Sequence, residues 1–436
     1  MKKIEAKFKV HNVGQGFFYS GVIARPNLPN FNMVYDCGSV SESSVKKAVS
    51  EYIREFSPDK IDILVISHFD MDHVSGVKEL ISNPKISDVS SLFIPYYTKT
   101  FDQKKCSLFL LDILLAMYST ETMKKIKNIV LVPNHAEEGK IVNFENRRKQ
   151  DFSAVIEEKR MESNGFINIS DKTLAKCTEL PEKTDIFLSG EWMFDFFNLG
   201  IDDTEISTFN SKIEVYLKQN KCSNLIDLLS REDNRVHLSK IKEIYEETLG
   251  GKGIPKNDCC NNTSLCVFHG PKSERYPLFK DMYRSSMDYF HNHICVRQAY
   301  ITENYTNKTF MMDPYYNWAV RGNLLTGDID LKVDKRMKEF NNHFSIRKGD
   351  TKYLFLPHHG SEKNWNDELL EYCSATGVSC VTSSGKNNRY GHPSKEVVSK
   401  VSNRLISVNE CKSFTYEYGN WLSCIEHKNL IISNDN

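Results

Sequence analysis

Residues 64–76 read LVISHFDMDHVSG. His68, Asp70, Asp72 and His73 fall within six residues, directly after an apolar run at 61–66. Ionisable groups this close repel one another unless something binds them. A turn leaving a strand can gather residues i, i+2, i+4 and i+5 around one small volume. Neutral imidazoles and carboxylates are metal ligands, and divalent cations remove the like-charge penalty. The chemistry on offer is metal binding. A solvated acidic loop is the plain alternative, and the strand leading into it argues against that.

Further along the chain, three more sets of such residues follow strand patterns. LLTGD ends on Asp328; LPHHGS carries His358, His359 and Ser361; GKNNRYGHPS carries Lys386, Arg389 and His392. Adjacent histidines after a buried strand are rarely needed for packing. A Gly-Asp pair at a strand end is by itself ordinary turn chemistry. The GKNNR stretch is a basic loop leading into His392, suited either to a polyanion or to plain solvent exposure. HNH at 291–293 carries no signal on its own. Cys259 and Cys260 read as structural thiols, and KKIK (124–127) and NRRK (146–149) as solvated helix faces.

The elements that must position these groups are strand-rich at both ends. Residues 7–24 read as two strands around a Gly-rich turn, and 32–39 as another. Residues 44–56 have helical spacing at Val45, Val49, Tyr52, Ile53 and Phe56. Strand patterns return at 263–270, 323–330, 352–361 and 377–384. A closing hairpin is expected over 412–427, with Gly419-Asn420 at its turn. Between about 99 and 250 the pattern is mostly helical, with segments at 106–130, 146–161, 209–219 and 236–251. The expected organisation is 1–98, a helical insertion or subdomain over 99–250, and 251–436.

With 436 residues, 40% hydrophobic and 26% charged, the chain belongs with globular proteins and can bury a large core. Lys+Arg and Asp+Glu both total 57, which excludes a globally basic nucleic-acid glove but not a local basic patch. The first residues show no apolar signal core, and no run approaches the roughly 18 apolar residues of a membrane span. Twelve cysteines without a C-x-x-C pair read as reduced thiols, so a cytoplasmic protein without membrane contact is expected.

HFDMDH resembles the H-x-[HD]-x-D-H signature of the metallo-β-lactamase fold. NVGQGFFYSGVI, VYDCGS, NNTSLCVF, LLTGDID, LPHHGS and NRYGHPS are similar, in matching order, to the nuclease domain of the ComEC family of competence DNA-uptake proteins. The resemblance runs from Asn12 to Ser394 and leaves 99–250 and most of 271–321 without a counterpart. It implies an α/β fold, a metallo-β-lactamase αββα sandwich carrying a mostly helical insertion. It further implies two divalent metal ions held by His68, Asp70, Asp72, His73, Asp328 and His358, with Asp328 bridging. His358 and His359 are exchangeable in that set. Asp70 stands where many members of the fold carry histidine. Three carboxylates suit manganese or magnesium better than an all-imidazole site would, with zinc also compatible. Members often place another histidine before the strand at 264–270; here Cys259, Cys260, Asn261 and Asn262 stand there, leaving one metal with fewer protein ligands.

The expected activity is metal-dependent phosphodiester hydrolysis, with DNA the expected substrate by resemblance. A metal-bound hydroxide, oriented by Asp72 or Asp328, would attack phosphorus. His359 or His392 would assist the departing oxygen. Lys386, Arg389 and Ser361 would contact the substrate. The rivals are a hydrolase of a small or cyclic nucleotide, of a lactone or of a β-lactam, and a non-catalytic metal-binding subunit. The helical section could dock a protein partner, and an effector role in bacterial antiviral defence is one possible setting.

Overall fold

The structure is a computed structural model. It describes residues 4–97, 120–134, 147–157, 176–181, 183–199, 203–249, 264–272, 294–303, 306–310, 322–373 and 378–420. Two sheets dominate them. The first runs edge to edge through Thr306–Phe310, Ile294–Glu303, Lys412–Asn420, Glu5–Val10, Phe18–Ala24, Phe31–Cys37, Ile61–Val65, Val89–Tyr96, Ile126–Pro133 and Cys177–Glu179. The second runs through Leu405–Val408, Ser379–Ser383, Thr351–Phe355, Gly322–Leu325, Cys266–Pro271, Trp192–Phe197, Thr184–Leu188 and Arg148–Asp151.

Alternation along the strands explains why the sheets stack. Met33 and Tyr35 join the core between the sheets, while Val34 joins the core on the outer face. Tyr353 and Phe355 likewise face inward and Leu354 outward. Side chains of period two serve both faces, so both faces must be covered. Helix Glu42–Phe56 covers the first sheet by burying Val45, Ala48, Val49, Tyr52 and Ile53. Its start is fixed by Ser41, whose hydroxyl accepts the Ser44 amide, and its end by Ser57 at φ 45°. Helix Asp334–Phe344 covers the second sheet with Met337, Phe340 and Phe344. Helix, sheet, sheet and helix make the expected αββα sandwich. Among the described residues, no helix is long and apolar enough to cross a membrane.

Three expectations differ from this structure. The section at 99–250 is only partly helical. Helices Asp203–Gln219 and Asn234–Leu249 pack together, but Ile126–Pro133, Arg148–Asp151, Cys177–Glu179, Thr184–Leu188 and Trp192–Phe197 are strands of the two main sheets. The helical reading of 106–130 ran across IKNIVLVP, whose β-branched residues pair in parallel with Val89–Tyr96. Second, Gly419 and Asn420 are not a turn; they lie in strand Lys412–Asn420 and pair with Cys295 and Ile294. A partner more than 100 residues away overrode local turn chemistry. Third, Arg147 of NRRK is not on a solvated face. It is buried, and its guanidinium meets Asp185 and Asp195. HNH at 291–293 and Cys259-Cys260 lie outside the described residues.

The inter-sheet core also holds a polar knot. The Tyr19 hydroxyl lies 2.9 Å from His269 Nε2 and 2.6 Å from the Tyr416 hydroxyl. Burial pushes the His269 pKa down from 6.5 to about 3. The unfolded chain takes up a proton near pH 6.5, while the folded imidazole stays neutral. Its contribution is therefore complete above pH 6.5 and is lost as pH falls toward 3. Burial lowers His11 and His343 as well, in the same direction. Denaturant titrations at stepped pH should show stability falling across this window, and less steeply in His269→Gln. Parallel slopes for variant and wild type would contradict the assignment.

Candidate metal centre

Parallel strands deliver the centre from the ends where they finish. Ile61–Val65 lies between Phe31–Cys37 and Val89–Tyr96, parallel to both, and runs on into Ser67 and His68. A short helix, Met71–Val74, then turns Asp72 and His73 back toward His68. In the second sheet the parallel neighbours Gly322–Leu325 and Thr351–Phe355 lead to Asp328 and to His358 and His359. The amide of His358 donates to the Gly327 carbonyl at 3.0 Å, tying those two loops together. Clefts outside the carboxyl ends of such strands are where open α/β sheets bind ligands.

Glycine makes the close approach possible at two points. A Cβ on Gly38 would stand 2.4 Å from the backbone of Asp72 and His73. Gly16 has φ +143°, and a Cβ there would stand 2.7 Å from the Asp72 carbonyl, which also accepts the Phe17 amide at 3.0 Å. The VGQG and CGS stretches thus clamp the backbone that carries Asp72 and His73.

Asp328 is buried at the middle of the cluster. His73 Nε2 approaches its Oδ1 at 3.1 Å, while His68, His358 and His359 Nε2 lie 3.7, 3.6 and 3.9 Å from its Oδ2. Asp70 Oδ2 is 3.9 Å from His68 Nε2, and Asp72 Oδ2 is 3.4 Å from His359 Nε2. Two overlapping ligand groups result: His68, His73 and Asp328; and Asp72, His73 and His359. The sequence had favoured His358 over His359. The geometry brings both to the carboxylates, with His359 in the second group.

The imidazoles are aimed from behind. Asp36 accepts the Ser67 amide at 2.7 Å, the Ser67 hydroxyl at 2.6 Å and His73 Nδ1–H at 2.8 Å. Having given its proton to Asp36, the Ser67 hydroxyl accepts from His68 Nδ1 at 2.9 Å. His358 Nδ1 donates to Asn364 Oδ1 at 2.8 Å. Each of these rings is thus set with its Nε2 toward the carboxylates. Ser264 lies 3.2 Å from His68 Nδ1 and accepts the Asp328 amide at 3.0 Å.

Electrostatics favour positive charge here. Burial opposes charge on His73 and His359. The Asp328 carboxylate beside both, with Asp36 at His73 and Asp72 at His359, nevertheless holds them above the usual imidazole range. Burial and the neighbouring His73 hold His68 below it. Burial opposes charge on Asp328 and Asp72 also, but the imidazoles around them keep both ionised below the usual carboxylate range. Nε2 of His68, His73 and His359 are buried and make no aligned hydrogen bond. Orphaned nitrogen donors facing carboxylate oxygens fit a divalent cation.

The turn at 357–360 is strained. His358 and His359 both have positive φ, 46° and 56°, and Gly360 follows at 85°. Side-chain-bearing residues in this region cost about 1–3 kcal/mol each and persist where the surroundings over-determine them.

His392 adjoins the cluster, its ring 5.0 Å from His358 and 6.4 Å from His359. A cleft of about 780 Å³ opens on Asp70, Asp72, Asp328 and His358, with Arg389 and Tyr390 in its wall. Two expected substrate contacts are placed elsewhere. Ser361 is buried, and its hydroxyl accepts the Lys363 amide within the turn. Lys386 is exposed outside the cleft lining, its amide held by Glu410.

Sequence reasoning missed Asp36, Ser67, Ser264 and Asn364, which touch the ligands rather than the cleft. Asp36 left a signal, a lone carboxylate closing the apolar strand VYDC. Asp36→Asn keeps the shape and tolerates its φ of 52°, but loses the charge behind His73. It should weaken metal binding about 10–100-fold, measured by competition with a chelating dye. Unchanged affinity would remove Asp36 from this role.

The fold and this centre define a class. Residues 17–140 match the model of the metallo-beta-lactamase superfamily, which includes hydrolases and nucleases and typically binds divalent metals. Among solved structures the chain is similar to the metallo-beta-lactamase fold protein YhfI from Bacillus subtilis. That match has 10% identity and a TM-score of 0.32, and covers 94% of this chain and 98% of that one. It is also similar to a long form RNase Z from yeast, at 16% identity and a TM-score of 0.17, over 30% of this chain and 18% of that one. No curated protein matches.

Proposed function

We propose that the chain is a metal-dependent phosphodiester hydrolase acting on DNA. One observation carries this reading: the carboxylates of Asp70, Asp72 and Asp328, backed by the buried imidazoles of His68, His73 and His359, open on a cleft that also presents the Arg389 guanidinium. A carbonyl substrate needs no such cation; a phosphodiester does. His68, Asp70, Asp72, His73, Asp328, His358 and His359 would hold a pair of divalent ions, manganese or zinc by this mixed donor set. Such ions supply Lewis-acid polarisation of a phosphoryl oxygen and a lowered pKa for water.

The chain's own residues do the rest. Asp72 and Asp328 accept hydrogen bonds from the attacking water and orient it. Arg389 neutralises a non-bridging phosphate oxygen. His392, beside His358 at the cleft edge, delivers a proton to the departing oxygen. The test is incubation of plasmid and single-stranded DNA with pure protein and Mn²⁺ or Zn²⁺, beside Asp72→Ala. Cleavage lost in the variant supports the reading. No cleavage of either substrate with any divalent metal rejects it.

A further inference from the structure

Among the described residues, seven large apolar side chains stand well exposed, and Val40, Met71 and Tyr390 of these line the cleft over the metal centre. Apolar residues scattered singly on a surface need no explanation; three lining one cleft do. Tyr390 is 45% exposed. Its ring lies 6.0 Å from that of His392 with the planes 8° apart. The Arg389 guanidinium stands 5.0 Å from the Tyr390 ring centre and donates to its hydroxyl at 2.9 Å. His392 in turn lies 5.0 Å from His358. Flat groups therefore form a row from the solvent edge to the side chains around Asp328.

The charges lining the same cleft largely offset one another. Lys46 pairs with Glu42 at 2.7 Å, and Lys78 and Glu79 both line the cleft. A run of phosphates would find little net attraction here beyond Arg389 and the metal residues. A neutral, flat group with an apolar face would fit.

We propose that Tyr390, with Arg389, is the stacking platform for an unpaired nucleobase next to the phosphodiester at the metal centre. A base inside a duplex is already stacked and must first be extruded, so the site would favour single-stranded chains or small nucleotides. The placement of the phosphate rests on the function proposed above; the platform itself rests on the wall.

The experiment is fluorescence polarisation with calcium present, using the full chain. The probes are a labelled oligothymidine, an abasic strand of equal length and charge, and a duplex, with a cyclic dinucleotide as competitor. Wild type should bind the base-bearing strand about tenfold or more tightly than the abasic one. Tyr390→Ala should remove that difference between base-bearing and abasic strands, while Tyr390→Phe retains it. Competition by the cyclic dinucleotide at low concentration would assign the base to a small nucleotide; competition by longer strands alone would assign it to single-stranded DNA. Either supports the platform. Equal affinity for base-bearing and abasic strands, a preference for duplex, or no binding overturns it. A base preference without hydrolysis of any phosphodiester sinks the proposed function and leaves the platform standing; hydrolysis without a base preference does the reverse.

Discussion

Asp328→Ala is expected to lower the proposed phosphodiester turnover by about 10³-fold or more and to strip bound metal from the protein, while the chain stays folded. Among the described residues, Asp328 alone lies within 4 Å of Nε2 of His68, His73, His358 and His359, and it is the carboxylate common to their ion pairs. A divalent ion supplies several kcal/mol of charge stabilisation in such a reaction, and each 1.36 kcal/mol is tenfold in rate. Removing the carboxylate also leaves His73 and His359 with fewer anionic neighbours, so the site loses attraction for any cation. Metal analysis, turnover on a chromogenic phosphodiester and a thermal melt should be measured together. Wild-type metal content in a folded Asp328→Ala protein would place the binding elsewhere and undo the assignment.

The second large effect falls on stability. Asp195 is buried and receives Arg147, Arg347 Nε at 3.0 Å and His343 Nε2 at 2.7 Å, while Arg347 also reaches Asp185 at 3.0 Å. Two guanidinium groups face two carboxylates out of contact with water. Asp195→Ala leaves an uncompensated positive charge inside, at a cost of about 3–5 kcal/mol. Urea unfolding should show a lowered midpoint whose shift, multiplied by an unchanged slope, gives that loss. A loss below about 1 kcal/mol would mean that water enters and solvates the arginines.

These residues also mark what could be read along the chain. The cluster from His68 to His73 was legible because ligand spacing is local: four side chains on one turn declare themselves. Asp328 and His358 were legible because each closes an apolar run. Asp36 was harder, since its role is to hold His73 from another strand, and nothing in its own neighbourhood says so. Arg147 was misread for a related reason. In NRRK it resembles any surface cation, and only Asp185, Asp195 and Arg347, brought in from distant strands and turns, explain its burial. The strand at 126–133 was hidden because parallel pairing, unlike a hairpin, leaves no turn signature next to the strand; Thr184–Leu188 and Trp192–Phe197 form an antiparallel hairpin across Ser189-Gly190, a local turn signal the sequence reading passed over. The helices at 203–219 and 234–249 carried their own periodicity and were read directly.

Asp36, His68, Asp72 and His73 come from one sheet; Asp328, His358, His359 and His392 follow strands of the other. An ion that binds only when the two faces meet works as a clasp across the sandwich. Its affinity then adds to the free energy holding the halves together, in proportion to the logarithm of its concentration. Withdrawing that ion would disarm the proposed hydrolase and, by the same release, leave the empty chain easier prey for proteases.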